Sequence, residues 1–419
     1  MALHIFRILN YFYKVKNKFI LGIILLYSSF CYSQKRASIS LKNGIDKPSL
    51  LPIHHFGMFS ARINQNFKIH PPEKSTLNFS LASANTFHPF VELYLPEDEA
   101  TRNELRQQTW FNRHFFVDQQ TTPAAYENIV IDAVFKNFRI DFNTKLSKNN
   151  ELGITLRSYL VTKGKYPFSF FTSDEFLEYF HSNVAGGEDP FGRRYYGLNQ
   201  VNVKYTDRKG RVLELKQNDF IFAGIEFNHF YYTNFSFLKK RNIYLNFGSH
   251  LGWNTSKFNP SIDLGFSGNI VKEWKLKNTN EIRFSFGSSI LRKEIIDFDD
   301  NSVTLGTNKF LGSLEAMFEF TKYTRKGNYH SVAVNYQIQT PFSNADEANY
   351  YQLVGKWQEI HSGWQNGFEK LYDYQSAWSW LYTYGRENYS FSVYVKEDLA
   401  LNNSPDLQLG FSVKIPILN

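Results

Sequence analysis

The amino-acid sequence predicts an all-β fold, a transmembrane antiparallel β-barrel of about twelve strands. Three observations predict it: apolar and polar residues alternate over stretches of about ten positions, the connections alternate between short and long, and a polar chain is rich in aromatic residues. Aromatic residues make up 18% of the 419 residues, whereas the mean hydropathy is only -0.40. A barrel wall in a bilayer requires this mixture, because alternate residues face lipid and lumen and rings collect at the two interfaces.

The alternation is clearest at the carboxyl end, where apolar residues such as Leu409 and Phe411 occupy every second position between 406 and 418. Residues 241–254 and 280–292 repeat the pattern. Alternation also occurs in a soluble two-sheet sandwich, so that fold stays the alternative at this point. We place strands near residues 75–86, 128–146, 151–165, 218–234, 241–254, 260–275, 280–293, 309–325, 328–341, 373–384, 388–399 and 406–418.

The connections between these strands favour the barrel. Tight polar turns at 147–150, 235–240, 276–279, 325–327 and 385–387 alternate with connections that include three long loops, 87–127, 166–217 and 342–372. Short periplasmic turns and longer external loops are typical of outer-membrane barrels, and an even strand count returns both ends to the periplasm. The wall must close on itself, because unpaired backbone groups in hydrocarbon each cost several kcal/mol.

The second long loop carries a helix signal. Ser173 precedes Asp174 and Glu175, and apolar residues at helical spacing follow. Serine is a preferred N-cap, and acidic residues are favourable in the first turn, so we expect a short helix here. A similar apolar pattern lies around Tyr351 and Trp357.

The first 33 residues have the pattern of a signal peptide. Basic residues end at Lys18, an apolar run covers 19–27, and small residues precede the predicted cleavage after Ser33. Acylation of Cys31, the only cysteine of the chain, is the alternative. Residues 34–74 contain several prolines and little periodicity, so we interpret them as a periplasmic segment or a plug inside the barrel, with the barrel itself at 75–419.

The charge distribution argues against nucleic-acid binding. The formal charge of +8 falls to +4 once Arg7, Lys14, Lys16 and Lys18 of the leader are removed. The remaining basic residues are mixed with acidic ones and form no basic stripe, which a nucleic-acid interface would require.

Strand register predicts one polar cluster in the lumen. If the fourth, fifth and sixth predicted strands pair through their short turns, the inward residues Glu226, His250 and Asp263 lie near one another. A histidine between carboxylates can act as a general base. Polar bracing of a narrow lumen is the alternative, and we assign no catalytic residue.

Two further groups are candidates for binding. His181, Asp189, Arg193 and Arg194 form the densest polar group of an external loop, and two guanidinium groups suit an anionic sugar or phosphate. An internally ion-paired loop is the alternative. The adjacent rim carboxylates Glu397 and Asp398 point to opposite faces of a strand, so we interpret them as structural groups or as contacts to cations bound by lipopolysaccharide.

Two stretches of the sequence resemble the bacterial family called domain of unknown function 3187. The resemblance implies an outer-membrane barrel and supplies no activity. The residues that carry it are Phe180, His181, Gly186, Asp189, Gly192 and Arg193, together with 395–400 and 404–406 near the carboxyl end.

These patterns leave three hypotheses for function. The first is a narrow channel or transporter for a small solute, because about twelve strands leave only a modest interior. The alternatives are an outer-membrane lipid-modifying hydrolase, centred on His250 or His181, and a surface structural or adhesion protein. We expect outer-membrane lipid, lipopolysaccharide and the barrel-assembly machinery as partners, and we predict no cofactor, no metal site and no nucleic acid.

Overall fold

The architecture was obtained from a computed structural model of the full chain. The predicted signal peptide, most of the loops 87–127 and 342–372, and the apolar pattern around 351–357 lie outside the residues that the structure describes. The described residues are 42–47, 51–88, 109–110, 113–114, 129–164, 169, 171–184, 198–207, 209–276, 280–299, 302–324, 327–344, 374–397 and 407–417.

The described chain is built almost entirely from β-strands. A 3-10 helix (His55–Phe59) and two α-helices, α1 (Asp174–Asn183) and α2 (Ser236–Lys239), interrupt them. The strands are β1 (Thr76–His88), β2 (Thr109–Trp110), β3 (Arg113–His114), β4 (Ile129–Ser147), β5 (Asn150–Thr162), β6 (Asn202–Thr206), β7 (Val212–Leu215), β8 (Phe220–Tyr232), β9 (Ile243–Asn254), β10 (Ser261–Lys275), β11 (Asn280–Asp297), β12 (Phe310–Tyr323), β13 (Tyr329–Gln339), β14 (Gln375–Gly385), β15 (Ser390–Glu397) and β16 (Leu407–Pro416).

Twelve of these strands close into an antiparallel barrel, which confirms the predicted fold class. Strands β1, β4, β5 and β8 to β16 pair in sequence order, and β1 pairs with both β4 and β16. The seam runs from the pair Thr76 and Pro416 to the pair Ala84 and Gln408. Each of the twelve predicted strands overlaps one barrel strand, and the sandwich alternative is wrong because the sheet has closed on itself.

The two faces of the wall have opposite chemistry. Phe266 and Trp380 stand on the outside and are 56% and 46% exposed. Asp263, Arg283 and Glu319 point inward and are buried. An apolar exterior around a charged interior is the pattern of a barrel surrounded by hydrocarbon.

The barrel has two distinct ends. At one end β1 begins, β16 ends and the short turns lie, and we call it the turn end. The long connections leave from the opposite end, which we call the loop end. In outer-membrane barrels the short turns are periplasmic, so the loop end corresponds to the external side.

The second long connection contains structure that the sequence pattern did not predict. Strands β6 and β7 form a hairpin, and β6 extends the sheet by pairing with β4 through Ile129–Asp132. Runs of five and four residues are too short for the ten-residue alternation of the wall strands. The expected helix of this connection is present as α1, with the Phe176 N–H donating to Ser173 Oγ at 3.3 Å.

The described part of segment 34–74, residues 42–47 and 51–74, lies inside the barrel, and we call it the plug. It contacts the wall near the turn end at Lys42, reaches the loop end at the 3-10 helix, and returns to the turn end before β1 begins. The two legs touch where the Ile45 N–H donates to Phe67 O at 3.0 Å. Gly44 makes this approach possible, because its φ is +77° and a Cβ there would lie 2.0 Å from Phe67 O.

Two apolar clusters pack around the plug. The larger one lies at the loop end and joins Phe56, Met58 and Phe59 of the plug to inward residues of β4, β5 and the hairpin. The smaller one joins Ile45 and Phe67 to the wall nearer the turn end. Among the described residues, no helix combines the length and the apolar character needed to cross a membrane.

Candidate functional site

The candidate site is the contact between the plug and the inner wall. Near the turn end, the Asp46 carboxylate accepts hydrogen bonds from Lys42 at 2.8 Å and from Lys414 of β16 at 2.7 Å. Lys42 also donates to Glu319 of β12 at 2.7 Å. The Tyr329 hydroxyl adds a contact to Asp46 at 3.4 Å. This group of alternating charges, the turn-end anchor, links the plug to three wall strands.

A second set of contacts holds the plug further along the lumen. Lys47 donates to Glu315 of β12 at 2.5 Å, and the other oxygen of Glu315 accepts from Asn335 at 2.7 Å. Arg62 of the returning leg donates to Gln337 at 2.5 Å. Every charged group in this set has a polar partner, as buried charges require.

A glycine in the wall determines where the returning leg sits. A Cβ on Gly252 of β9 would lie 2.2 Å from the Ala61 Cβ, so the wall accepts the plug only because this position has no side chain. Asp263 and Glu226 both stand opposite Gly252 in register, one on each neighbouring strand. Asp263 accepts from the Ala61 N–H at 2.8 Å, and Glu226 accepts from the Arg62 N–H at 3.3 Å.

Glu226 is also the centre of a buried ion cluster. Arg139 of β4 donates to one of its oxygens at 2.6 Å, and Arg157 of β5 lies 2.9 Å from the other. Arg157 continues to the plug, where it donates to Ser60 O at 2.6 Å, and to the wall residue Asn254 at 2.7 Å. Two of the three residues of the predicted lumen cluster therefore clamp the backbone of the plug.

His250, the third residue of that cluster, has different neighbours from those expected. Its Nδ1 lies 2.6 Å from Asn228 Oδ1 and its Nε2 lies 2.8 Å from Ser267 Oγ. The histidine is thus held by an amide and a hydroxyl, and these hydrogen bonds go to neither Glu226 nor Asp263. Ser267, His250 and Asn228 are of the types that supply the hydroxyl, the base and the orienting group in nucleophilic catalysis. They face the lumen that the plug occupies.

Asn228 and Ser267 were absent from the predicted cluster, although a signal for them exists in the sequence. Asn228 stands opposite His250 in register, and Ser267 stands opposite Gly248, the next inward position of β9. Listing all inward polar residues of three neighbouring strands would have found both. Charge alone led the prediction to Glu226 and Asp263.

At the loop end the hairpin closes over the barrel. The Asp207 carboxylate accepts from the backbone N–H groups of Thr304 and Arg211, both at 2.9 Å, and from Arg211 Nε at 2.7 Å. The Tyr205 hydroxyl donates to Thr304 O at 2.7 Å. Burial alone would raise the pKa of Asp207, but these hydrogen bonds lower it below the ordinary carboxyl value.

Aromatic contacts join the tip of the plug to this hairpin and to Phe258. Phe56 of the plug packs edge-on against Tyr205, with ring centroids 4.9 Å apart, and Phe59 packs against Phe258 at 5.4 Å. The plug is therefore held by polar contacts and one small apolar cluster along its length, and by a larger apolar cluster at its tip.

The remaining predicted site residues are less informative. His181 belongs to α1, and Glu397 is the last residue of β15. Asp189, Arg193, Arg194 and Asp398 lie outside the described residues. Within the described part of the chain, no group of three histidine, cysteine or carboxylate side chains is arranged to hold a metal ion.

Comparison with known proteins identifies no family for the chain. No family model matches the chain, and no curated protein matches it. Among solved structures it is similar to LpxR from Salmonella typhimurium, with 6% identity, 82% of this chain and 100% of that chain covered, and a TM-score of 0.36. The transport unit of the autotransporter AIDA-I from Escherichia coli gives 8% identity, 83% and 91% coverage, and a TM-score of 0.34.

A third similar structure is Wzi, an outer-membrane protein involved in group 1 capsule assembly in Escherichia coli. It gives 12% identity, 70% and 56% coverage, and a TM-score of 0.23. Scores this low identify no ligand, activity or partner. The closed wall, its apolar exterior and the shared position of its two ends give the chain the architecture of an outer-membrane β-barrel protein.

Proposed function

We propose that the protein is a gated passage for a small polar solute across the outer membrane, and that the plug is its gate. The observation that carries the proposal is the chemistry of the contact between plug and wall. Between the turn end and the apolar tip, ion pairs and hydrogen bonds, such as Lys42 to Glu319, Lys47 to Glu315 and Ala61 to Asp263, hold the plug beside one small apolar cluster around Ile45 and Phe67.

Polar contacts of this kind suit a movable segment. Replacing buried ion pairs by apolar residues is often neutral or stabilising, so a plug that served stability alone would not need them. Hydrogen bonds to a wall can be exchanged for hydrogen bonds to water, whereas a detached apolar surface cannot be solvated so cheaply. A displaced plug would leave a lumen lined by charged groups, including Arg139, Glu226 and Glu315.

The width of the barrel limits what such a passage admits. Eight strands enclose only side chains, and sixteen or more leave an open aqueous channel. Twelve strands enclose a chain segment, as the plug demonstrates. A lumen of this size, once emptied, suits small solutes rather than folded proteins.

The gate is tested with a reversible tether at the turn-end anchor. In a Cys31→Ser background, Asp46→Cys together with Lys414→Cys removes the ion pair that joins the plug to β16, while Lys42 keeps Glu319 as its partner. We expect the open fraction in planar bilayers to rise on the order of tenfold, which corresponds to about 1.4 kcal/mol. Bridging the two cysteines with a short bis-methanethiosulfonate reagent should silence the channel, and a reductant should restore it.

A matched cysteine pair controls for the chemistry. Thr383 and Ser392 are buried and hydrogen-bonded to each other at 2.8 Å across β14 and β15. Cysteines there, linked or unlinked, should leave conductance at the level of the unchanged protein. Equal conductance of the linked and unlinked Asp46 and Lys414 variants would refute the plug as gate.

Hydrolysis in the lumen is a second candidate function, favoured by the contacts of His250 with Ser267 and Asn228. It requires that the substrate enter the lumen, so it depends on displacement of the plug in the same way. The adhesion alternative depends on 342–372, most of which lies outside the described residues.

A further inference from the structure

Part of the second long connection lies on the outer face of the wall. Ser83 of β1 and Lys136 of β4 stand opposite each other in register. Four residues away on the same faces of their strands, Phe79 and Ile140 are 41% and 37% exposed, yet Ser83 and Lys136 are 2% and 0% exposed. Ser169 and Thr172 contact these two residues from outside the wall, and we call residues 169 and 171–184 the cover.

The polar contacts under the cover contain an amine without a carboxylate. Lys136 Nζ lies 2.6 Å from Ser83 Oγ and also contacts Ser169 Oγ. Ser83 Oγ lies 2.6 Å from Thr172 Oγ1. Among the described residues, Lys136 forms no ion pair. Burial without a counter-ion favours the neutral form of an amine, and a neutral amine next to a hydroxyl can take its proton.

An apolar groove on the lipid-facing side leads to Ser83. Ser83 stands opposite Leu409, Leu409 opposite Val395, and Val395 opposite Trp380, so the four residues form one transverse row across the outer wall. The groove has a volume of about 540 Å³. Hydrocarbon surrounds this face, so the occupant that the groove fits is a lipid acyl chain. Its other lining residues include Leu81, Val332, Tyr382, Val393 and Phe411.

The cover has the form of an element at a membrane interface. Phe171 and Phe180 are 46% and 42% exposed, and both pack against Phe176, with ring centroids 5.1 and 6.3 Å away. Leu177, in the same helix α1, is buried. Exposed rings on one side of a short helix are stabilised at the boundary between headgroups and acyl chains. The cover can therefore be stabilised either on the outer face of the wall or in the interface of the bilayer.

We infer that Ser83 and Lys136 form a nucleophile and base that hydrolyse the acyl esters of membrane lipids, with the acyl chain in the groove and the cover as a lid. This activity lies on the outside of the wall, away from the plug. It differs from the hydrolase expected from the sequence, which centred on His250 or His181.

The reaction needs only the lipid ester and water. Lys136 takes the proton of the Ser83 hydroxyl while Ser83 Oγ adds to the ester carbonyl carbon, and the bond to the lipid alcohol then breaks as Lys136 returns the proton to the alcohol oxygen. Water attacks the acyl-Ser83 carbonyl and loses a proton to Lys136. The acyl–Oγ bond breaks and Ser83 recovers that proton, so the products are a fatty acid and an alcohol.

Asn85 supplies a donor for the developing oxyanion. It lies two residues from Ser83 on the same face of β1, and its amide donates to Thr172 O at 3.0 Å and to Asp174 at 2.8 Å. Both acceptors belong to the cover. Displacement of the cover removes these two acceptors at the moment when Ser83 becomes accessible, and side-chain amide donors of this kind stabilise tetrahedral intermediates.

The experiment uses the full chain in vesicles of phosphatidylethanolamine and phosphatidylglycerol, with and without lipopolysaccharide, and measures fatty-acid release. A fluorophosphonate probe identifies the reactive serine by peptide mapping. We expect release from at least one vesicle type and a label on Ser83. Ser83→Ala and Lys136→Arg should each reduce release on the order of 10³-fold or more. Arginine keeps the donors that hold the cover but cannot act as a base.

Controls separate this site from the lumen and from folding defects. Heat-modifiable electrophoretic mobility checks that each variant folds, and Thr383→Ala, which removes a buried hydroxyl of the wall outside both sites, should leave release unchanged. Thr172→Ala, which loosens the cover, should increase release. A label on Ser267, full activity of Ser83→Ala, or no release and no label in both the unchanged protein and Thr172→Ala would each overturn the inference. None of these readouts depends on conductance, so this inference is tested independently of the proposed gate.

Discussion

Lysines on the two sides of the wall have different partners. In the lumen, Lys42 and Lys47 of the plug each contact a carboxylate, at 2.7 and 2.5 Å. On the outer face, Lys136 contacts the hydroxyls of Ser83 and Ser169. All three lie within one barrel and are shielded from solvent, so burial alone does not explain the difference.

The two kinds of partner suit different roles for a lysine. A carboxylate partner holds a lysine charged and in place, which suits an anchor. Hydroxyl partners leave the amine able to exchange a proton, which suits a base. Lys293 is an intermediate case, because it contacts the Thr307 hydroxyl and lies 4.1 Å above the ring of Phe342, where a cation–π interaction offsets its charge.

The largest expected effect comes from neutralising the centre of the lumen cluster. Glu226→Gln keeps an acceptor for the plug backbone but removes the charge between Arg139 and Arg157. We expect the free energy of unfolding to fall by about 3–5 kcal/mol, because two buried guanidinium groups lose their shared counter-ion. Urea titration in lipid vesicles, followed by tryptophan fluorescence, measures it.

An exposed ion pair provides the control. Glu214→Gln breaks a 3.7 Å contact with Lys216 on the hairpin, where both side chains are largely exposed. Such a pair contributes at most about 1 kcal/mol. Equal losses in the two variants would show that the lumen charges are not specifically needed.

The second prediction transfers the lumen arrangement to the outer face. Ser169→Asp places a carboxylate next to Lys136, whose Nζ already contacts Ser169 Oγ. We expect lipid hydrolysis to fall on the order of 10²-fold, because a paired ammonium is a poor base. The cover should at the same time become more resistant to proteolysis. Ser169→Asn is the control of similar size, and an equal loss with Asn would mean that shape rather than charge matters.

The smallest effect concerns the fit of the plug. Gly252→Ala introduces a Cβ 2.2 Å from that of Ala61, so the plug must shift, at a cost of about 1–3 kcal/mol typical of overpacking. Gly268→Ala meets only the ring of Phe247 at 3.7 Å and should be nearly neutral. Unfolding titrations and conductance of both variants measure the difference. A neutral Gly252→Ala would place the plug further from the wall.

The wall could be predicted because its signal repeats. The barrel strands alternate apolar and polar residues, and this period places Asp263 and Arg283 inside and Phe266 and Phe284 outside. The inward position of Glu226 and His250 follows from the same rule. Closure follows from the solvent rather than from any single residue.

The contacts at both sites could not be predicted in this way. Alternation assigns Lys136 to the outer face. It cannot predict that the cover, 30 or more residues further along the chain, contacts this lysine. Similarly, the partners of the plug depend on which wall glycine admits it, and Gly252 looks like any other glycine in the sequence. Non-local packing decides both.

The plug also has a mechanical relation to the seam of the barrel. Its returning leg runs directly into β1, and the Ile417 N–H, just after β16, donates to Ser75 O at 2.7 Å. Both legs leave the barrel at the turn end. A force on the chain before Lys42 would therefore detach the first leg from β12 and β16, while the second leg stays attached beside the seam between β1 and β16. The last strand of the barrel thus fastens the segment that precedes the first strand, and a load applied at the turn end would be borne unequally by the two legs.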